Sequence, residues 1–332
     1  MKKKLIAIAV FAVLTTPVTA KPMFKFYGQL QVEVAQQNKA GVNETVVDDS
    51  KRGRLGVMAS EDLGDGLTAI AHFEWQVDTS DADANDGRRI ALVGLKGSFG
   101  KFVTGSLMSP YKYTGGVKYD PFVTTFLEAR SNGGMSGFIE SALAANATGT
   151  LNSKGAFGHH NFVHNAIGYS IKNKTLSFKS VYSPDEQGDA QGSSGDYAIS
   201  AKYNSGPMEA FIAASNDDSS ELSGAKFGGR YMNGKYAILG QYEKVDAAGT
   251  NVDVAFLGFH YMLGKNMLVA QFGNTSIDKV DTPDITYYAL GIVHKFSKKT
   301  RIFTGYRNTD KGGSIKDTAF TVGLRVDFDS GI

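Results

Sequence analysis

Phe24-Lys25-Phe26-Tyr27-Gly28-Gln29-Leu30-Gln31-Val32-Glu33-Val34 divides by parity. Phe24, Phe26, Gly28, Leu30, Val32 and Val34 form one face, and Lys25, Tyr27, Gln29, Gln31 and Glu33 form the other. A period of two with one apolar and one polar face is the pattern of a β-strand between an apolar medium and water. The split recurs at 52–60, where Arg52, Arg54 and Ser60 oppose Leu55, Val57 and Ala59. It recurs again at 67–77, where Leu67, Ala69, Ala71, Phe73, Trp75 and Val77 oppose Thr68, His72, Glu74 and Gln76.

Working outward, further strands are expected at 88–96, 101–107, 161–171, 175–183, 197–203, 208–215, 222–232, 235–245, 252–262, 267–276, 285–296, 301–309 and 316–328. The total is about 16, an even number. Their connections alternate in length. One set is short, such as Gly97-Ser98-Phe99-Gly100, Asn233-Gly234 and Leu263-Gly264-Lys265-Asn266; the other is longer and polar, as at 37–51, 78–87, 184–196 and 277–284. Antiparallel strands with short turns on one rim and long loops on the other describe a closed transmembrane β-barrel of the outer-membrane type. Closure pairs every backbone group, so no edge strand is left in lipid. The fold class expected is therefore all-β.

One connection breaks the rhythm. From Met108 to His160 the alternation stops, with Gly115-Gly116, Gly133-Gly134 and a run of small residues at 141–150. A loop of that length within a compact fold is usually functional. Residues 108–160 are read as an inward-folded third loop that narrows the barrel.

Composition sets further bounds. Met1-Lys2-Lys3-Lys4, an apolar stretch at 5–14 and Val18-Thr19-Ala20 read as a secretory signal peptide, 1–20, too short to span a bilayer. Residues 21–332 are then a single barrel domain. Removing Lys2, Lys3 and Lys4 from 35 basic and 33 acidic residues leaves a formal net charge of −1, which gives no reason to expect a nucleic-acid partner. Cysteine is absent, so stability must come from backbone pairing and packing. Downstream of the leader no apolar run reaches 18 residues.

The polar parity carries Arg52, Arg54, Arg89, Lys179, Lys202, Lys226, Arg230 and Arg325, with Glu33, Glu74 and Glu243. An Arg or Lys facing lipid near the midplane costs about 2–4 kcal/mol. This face must therefore line a water-filled lumen.

Phe26-Tyr27-Gly28-Gln29-Leu30, Arg54-Leu55-Gly56-Val57, Glu61-Asp62-Leu63-Gly64-Asp65-Gly66-Leu67, Arg89-Ile90-Ala91-Leu92-Val93-Gly94-Leu95-Lys96 and Val322-Gly323-Leu324-Arg325-Val326-Asp327-Phe328 follow one another in order. In these the chain resembles the general trimeric diffusion porins of Gram-negative outer membranes, over essentially all of 21–332. The resemblance implies a 16-stranded barrel, a homotrimer in outer-membrane lipid and lipopolysaccharide, and passive diffusion of ions and small hydrophilic solutes. It also implies a constriction in which acids of the third loop face a basic cluster on the wall. Arg54 and Arg89 match wall arginines by position; Asp120 and Glu128, and more loosely Glu140, fall in the matching loop. Arg52 and Arg88 beside the matched pair either line the pore or brace a loop.

The chain departs from that pattern at Gln29, Ser106 and Phe162, where basic residues are common, so a thinner basic side is expected. Porins of this type end on an aromatic residue. Here Asp329-Ser330-Gly331-Ile332 follow Phe328, and Phe328 is expected to act as the assembly signal from an internal position.

Other functions have weaker support. His159, His160 and His164 cluster, but on a strand the His160 and His164 rings would stand about 13 Å apart, and no HExxH pattern is present. No metal site, cofactor or catalytic activity is expected. Tyr111, Tyr113, Tyr119, Phe122, Phe126 and Phe138 leave open a sugar-specific channel with an aromatic track. Long external loops leave open a surface adhesin.

Overall fold

The computed structural model describes residues 23–80, 87–137, 162–184, 195–218, 221–279, 282–312 and 316–330. Seventeen strand segments form a single antiparallel sheet. They are β1 (Met23–Lys39), β2 (Val42–Asp48), β3 (Arg54–Gly64), β4 (Leu67–Gln76), β5 (Arg88–Gly97), β6 (Gly100–Met108), β7 (Phe162–Lys172), β8 (Leu176–Ser183) and β9 (Asp196–Ser205). They continue with β10 (Met208–Asp217), β11 (Leu222–Met232), β12 (Tyr236–Ala247), β13 (Thr250–Leu263), β14 (Asn266–Ile277), β15 (Ile285–Lys295), β16 (Thr300–Asp310) and β17 (Lys316–Asp329). Apart from β2 and β3, which both pair with β1, each strand pairs with its sequence neighbours, and β17 pairs with β1 from Tyr27 opposite Asp329 to Asn38 opposite Thr318. The sheet is closed.

Seventeen segments make sixteen barrel strands because β2 and β3 are one strand, interrupted. Both pair with β1, β2 along 33–39 and β3 along 23–29. The break has a local cause. The Asp49 carboxylate accepts from the backbone N–H of Lys51 at 2.7 Å and of Gly53 at 3.1 Å, an Asx turn that competes with the ladder. Ser50 and Lys51 take positive φ within it. A Cβ on Gly53 would stand 2.0 Å from the Val77 carbonyl oxygen, so no larger residue fits there. The expected external loop at 37–51 is thus corrected: most of it is strand, β1 and β2 turning at Ala40-Gly41.

The apolar parity forms the outer surface. Val93, Ile212 and Leu290 are each more than half exposed, and the same face of β1 shows Phe24, Phe26, Leu30, Val32 and Val34. So continuous an apolar belt is a surface made for hydrocarbon. No helix among the described residues is long and apolar enough to cross a membrane.

The core lies inside the barrel. Tyr119, Phe122, Leu127 and Met135 of the segment after β6 are buried against Phe211, Leu239, Phe256, Tyr287 and Phe303 of the wall. That segment opens with a short helix, α1 (Pro110–Tyr113), and a 3-10 turn at Gly116–Lys118.

Candidate functional site: a lumen divided between an inward segment and an arginine wall

Residues 109–137 run along the inner wall, and their anchors trace the path. Thr114 Oγ1 meets Ser200 Oγ of β9 at 2.9 Å, and the Tyr119 hydroxyl donates to Glu209 of β10 at 3.1 Å. The Tyr111 hydroxyl and Ser136 Oγ both donate to Glu243 of β12, at 2.9 and 2.5 Å, and the Gly116 N–H donates to Gln241 at 2.6 Å. Gln271 of β14 donates to Asp120 at 2.8 Å, and Tyr287 of β15 to the Leu127 carbonyl at 2.6 Å. Arg307 of β16 donates to Asn132. Near its tip the Phe126 N–H donates to Glu33 of β1, and the Thr124 carbonyl accepts from Gln31 at 2.6 Å. Every such anchor carries the inward parity of its strand, which is why an alternating sequence can hold an irregular segment in its lumen.

The arginines line β16, β17, β3 and β5. Arg301 stands opposite Arg325 in the ladder, and Asp327 bridges them at 2.6 and 2.7 Å. Arg54 and Arg89 share Glu74 of β4, Arg89 at 2.7 Å and Arg54 at 3.8 Å. The Tyr27 hydroxyl donates to the other Glu74 oxygen at 2.7 Å. Arg52 projects from the break between β2 and β3, donating to Gln29 at 3.1 Å and to Thr124 of the inward segment at 3.0 Å. Its electrostatic neighbours include Arg325 and Arg54. Arg52 thus braces the segment through Thr124, with Arg325 and Arg54 beside it.

Two expectations change. Arg88 does not join the wall: a register shift between Glu74 and Trp75 sets Arg88 opposite Trp75 on the outer face, where it is exposed. The bulge turns Arg88 outward and leaves Arg89 on the inward face that its sequence position gave it. Asp120 and Glu128 are buried within the segment rather than presented to the arginines. Asp120 accepts from the Phe122 and Ala129 N–H groups and from Gln271; Glu128 accepts from the Thr124 N–H, Ser131 and Arg130, the last at 3.0 Å. Burial pushes the Asp120 carboxyl up to about 6. Both acids hold the turn of the segment together.

The basic side is also broader than Gln29, Ser106 and Phe162 suggested. Gln29 orients Arg52, and Ser106 bonds His164 at 2.9 Å. The Phe162 ring lies between Arg89 and Lys112, whose cationic groups are 4.7 and 4.6 Å from its centroid. Arg301 was missed, though the parity of 300–310 places it inward. Of the aromatics considered for a sugar track, Tyr111, Tyr119 and Phe122 are fully buried as packing. Phe138, Glu140, His159, His160 and the leader 1–20 lie outside the described residues.

Phe328 closes the seam. It pairs with Gly28, and a Cβ on Gly28 would fall 2.3 Å from the Phe328 ring. Ser330 continues the pairing, its N–H donating to the Phe26 carbonyl at 2.7 Å.

A closed sheet with an apolar outer belt and a charged lumen defines an outer-membrane β-barrel. A family model described as Gram-negative porin matches residues 6–314, and the chain belongs to that family. The major outer membrane protein P.IB of Neisseria meningitidis serogroup B is 29% identical over 198 residues, 52% of this chain and 56% of that protein. Its counterpart from Neisseria gonorrhoeae is 32% identical over 123 residues, 35% of this chain and 34% of that one. The chain thus spans about half the length of the first of these relatives and a third of the second. Among solved structures, an anion-selective porin from Comamonas acidovorans superposes with a TM-score of 0.74 at 20% identity, covering 93% of this chain and 100% of that one. Outer-membrane-expressed OmpT of Vibrio cholerae gives 0.69 at 17%, covering 92% and 98%.

Proposed function

We propose that the protein is a porin in the working sense: a homotrimeric, water-filled outer-membrane channel for passive diffusion of ions and small hydrophilic solutes, with no catalytic role. Residues 1–20 serve as its export leader and 21–332 as one barrel. The observation that carries this reading is the division of the lumen. Segment 109–137 is anchored along β9–β16 and reaches β1 and Arg52 at its tip, while Arg301, Arg325, Arg52, Arg54 and Arg89 line β16–β5 with Glu74 and Asp327 between them. Such charged rings tune ion selectivity. At physiological salt the Debye length is about 8 Å, so they act mainly where the passage is narrow.

The known porins named above support the reading through the shared fold. The trimer form of Vibrio cholerae OmpT, TM-score 0.67, supports the oligomeric state in the same way. The test is single-channel recording of the refolded protein in a planar bilayer under a salt gradient, repeated with Arg54→Ala plus Arg89→Ala. Conductance steps in threes, with a reversal potential moved toward cation preference in the variant, are the expected result. Electrically silent bilayers from correctly folded protein would overturn the reading.

A further inference from the structure

A second basic group lies on the inner surface of β6–β9. Lys101 of β6 stands opposite Ser170 of β7, and Ser170 stands opposite Lys179 of β8. The two lysines therefore share one inward row, two strands and about 10 Å apart at the backbone. Lys172 and Lys202 both flank Ser177 of β8 in the adjacent inward row. Lys118 enters from the inward segment. Lys118, Lys202, Lys101 and Lys172 are all electrostatic neighbours of Lys179.

The nearby carboxylate is already taken. Glu209 is held by Lys202 at 2.9 Å and by Arg230 at 3.4 Å, and it accepts from Tyr119. Lys101 and Lys179 make no hydrogen bond or ion pair among the described residues. Burial and the neighbouring Lys202 hold the Lys118 ammonium below the usual lysine range. Between α1 and the wall a recess of about 100 Å³ is lined by Lys101, Ser170 and Lys179 together with the apolar Leu92, Val103 and Leu107.

Like charges brought together beside a cavity are a standing demand for a counter-ion. Two ammonium groups on long stems can converge on one ligand from opposite sides. A monatomic ion offers them a single centre, whereas a tetrahedral oxyanion offers separate oxygens to both lysines and to a hydroxyl. The recess has room for one such ion.

We infer that this recess binds a small, multiply charged oxyanion of the phosphate type, bridged by Lys101 and Lys179. The site extends the channel reading by naming a class of solute that would pause in the lumen, and its occupancy does not depend on current flow.

The test uses inorganic phosphate and the detergent-folded full chain. Calorimetric titration should show saturable binding, weakened about tenfold by Lys101→Gln or Lys179→Gln and more by both, as expected for loss of charge-assisted hydrogen bonds. Lys299→Gln, which removes the same charge from the turn between β15 and β16, should bind as the parent does. In bilayers the same phosphate should reduce chloride current saturably in the parent and less in the double variant. Equal phosphate affinity in parent and double variant, or an equal loss in Lys299→Gln, would overturn the site. Phosphate binding by a barrel that carries no current would overturn the channel reading and support the site.

Discussion

The Tyr111 hydroxyl stands 2.9 Å from Glu243 Oε2 and donates to it, joining the start of the inward segment to the middle of β12. Ser136, near the end of the described segment, donates to the same carboxylate through both its N–H and its hydroxyl. Glu243 is fully buried, and its ladder partner Lys226 lies with Nζ 4.3 Å from the centre of the Tyr111 ring. One carboxylate thus holds both ends of the described inward segment. Glu243→Gln should leave the barrel's strand content unchanged by circular dichroism. It should weaken the segment's docking by about 2–3 kcal/mol, since several charge-assisted bonds lose their acceptor charge. The readout is open-channel current noise, which should rise as the segment leaves the wall.

Glu74 offers the converse experiment on the arginine wall. It compensates Arg54 and Arg89 together. Glu74→Gln should move the reversal potential toward anion preference, opposite in sign to the double arginine variant. A shift in the same direction in both would mean that the wall charges do not set selectivity.

The pH dependence of the segment follows from Asp120. Its carboxyl titrates near 6 in the folded protein against 3.8 for the free group, because burial disfavours the charge. The folded state therefore holds this proton more tightly than the unfolded state. The resulting stabilisation is complete below about pH 4 and is lost as pH rises through about 6, amounting to at most about 3 kcal/mol. Urea denaturation midpoints of the parent should fall between pH 4 and 7 by more than those of Asp120→Asn.

Much of the barrel was legible because its cause is local. Parity at 24–34 and the alternation of short and long connections follow from lipid outside and water inside, and both are written residue by residue. Where the structure departs, the cause is a contact between distant residues. At the break Asp49 makes the turn locally, but the need for glycine at 53 comes from the approach of the distant Val77 carbonyl. Arg88 is turned to the outer face by a bulge that only cross-strand register reveals. Asp120 and Glu128 were correctly placed in the segment, but whether a carboxylate faces water or a ring of N–H donors depends on how the segment folds. Glu33 and Glu243 were visible as inward charges. Their use as docking points was not, because their partners lie far away in the chain.

Close approach of the segment to the wall makes a steric prediction. A Cβ on Gly273 of β14 would fall 2.3 Å from the Gly134 Cα, and Gly133 beside it has φ of +91°. Backbone thus lies directly on backbone at this point, and neither side can yield as a flexible side chain would. Gly273→Val should displace 133–135 toward the lumen at a cost of about 1–3 kcal/mol. Its effect should appear as an altered single-channel conductance, with reversal potential retained because the arginine wall is untouched.

The seam between the first and last strands gives the final test. Phe328 covers Gly28, and the chain runs on to pair Ser330 with Phe26. Phe328 is then the aromatic residue that closes the barrel, and the residues after it extend the closure instead of replacing it. Phe328→Ala removes the ring that fills the space above Gly28, and Gly28→Val forces the ring out of it. Both should lower the yield of folded barrel in detergent, measured by band shift on unheated gels. Truncation after Phe328 should cost less, since it removes the end of the ladder, Asp329 opposite Tyr27 and the Ser330 pairing, with the Lys299–Asp329 ion pair, which is largely solvent-exposed and therefore weak. A truncation more damaging than Phe328→Ala would move the closing role from the aromatic ring to the residues beyond it.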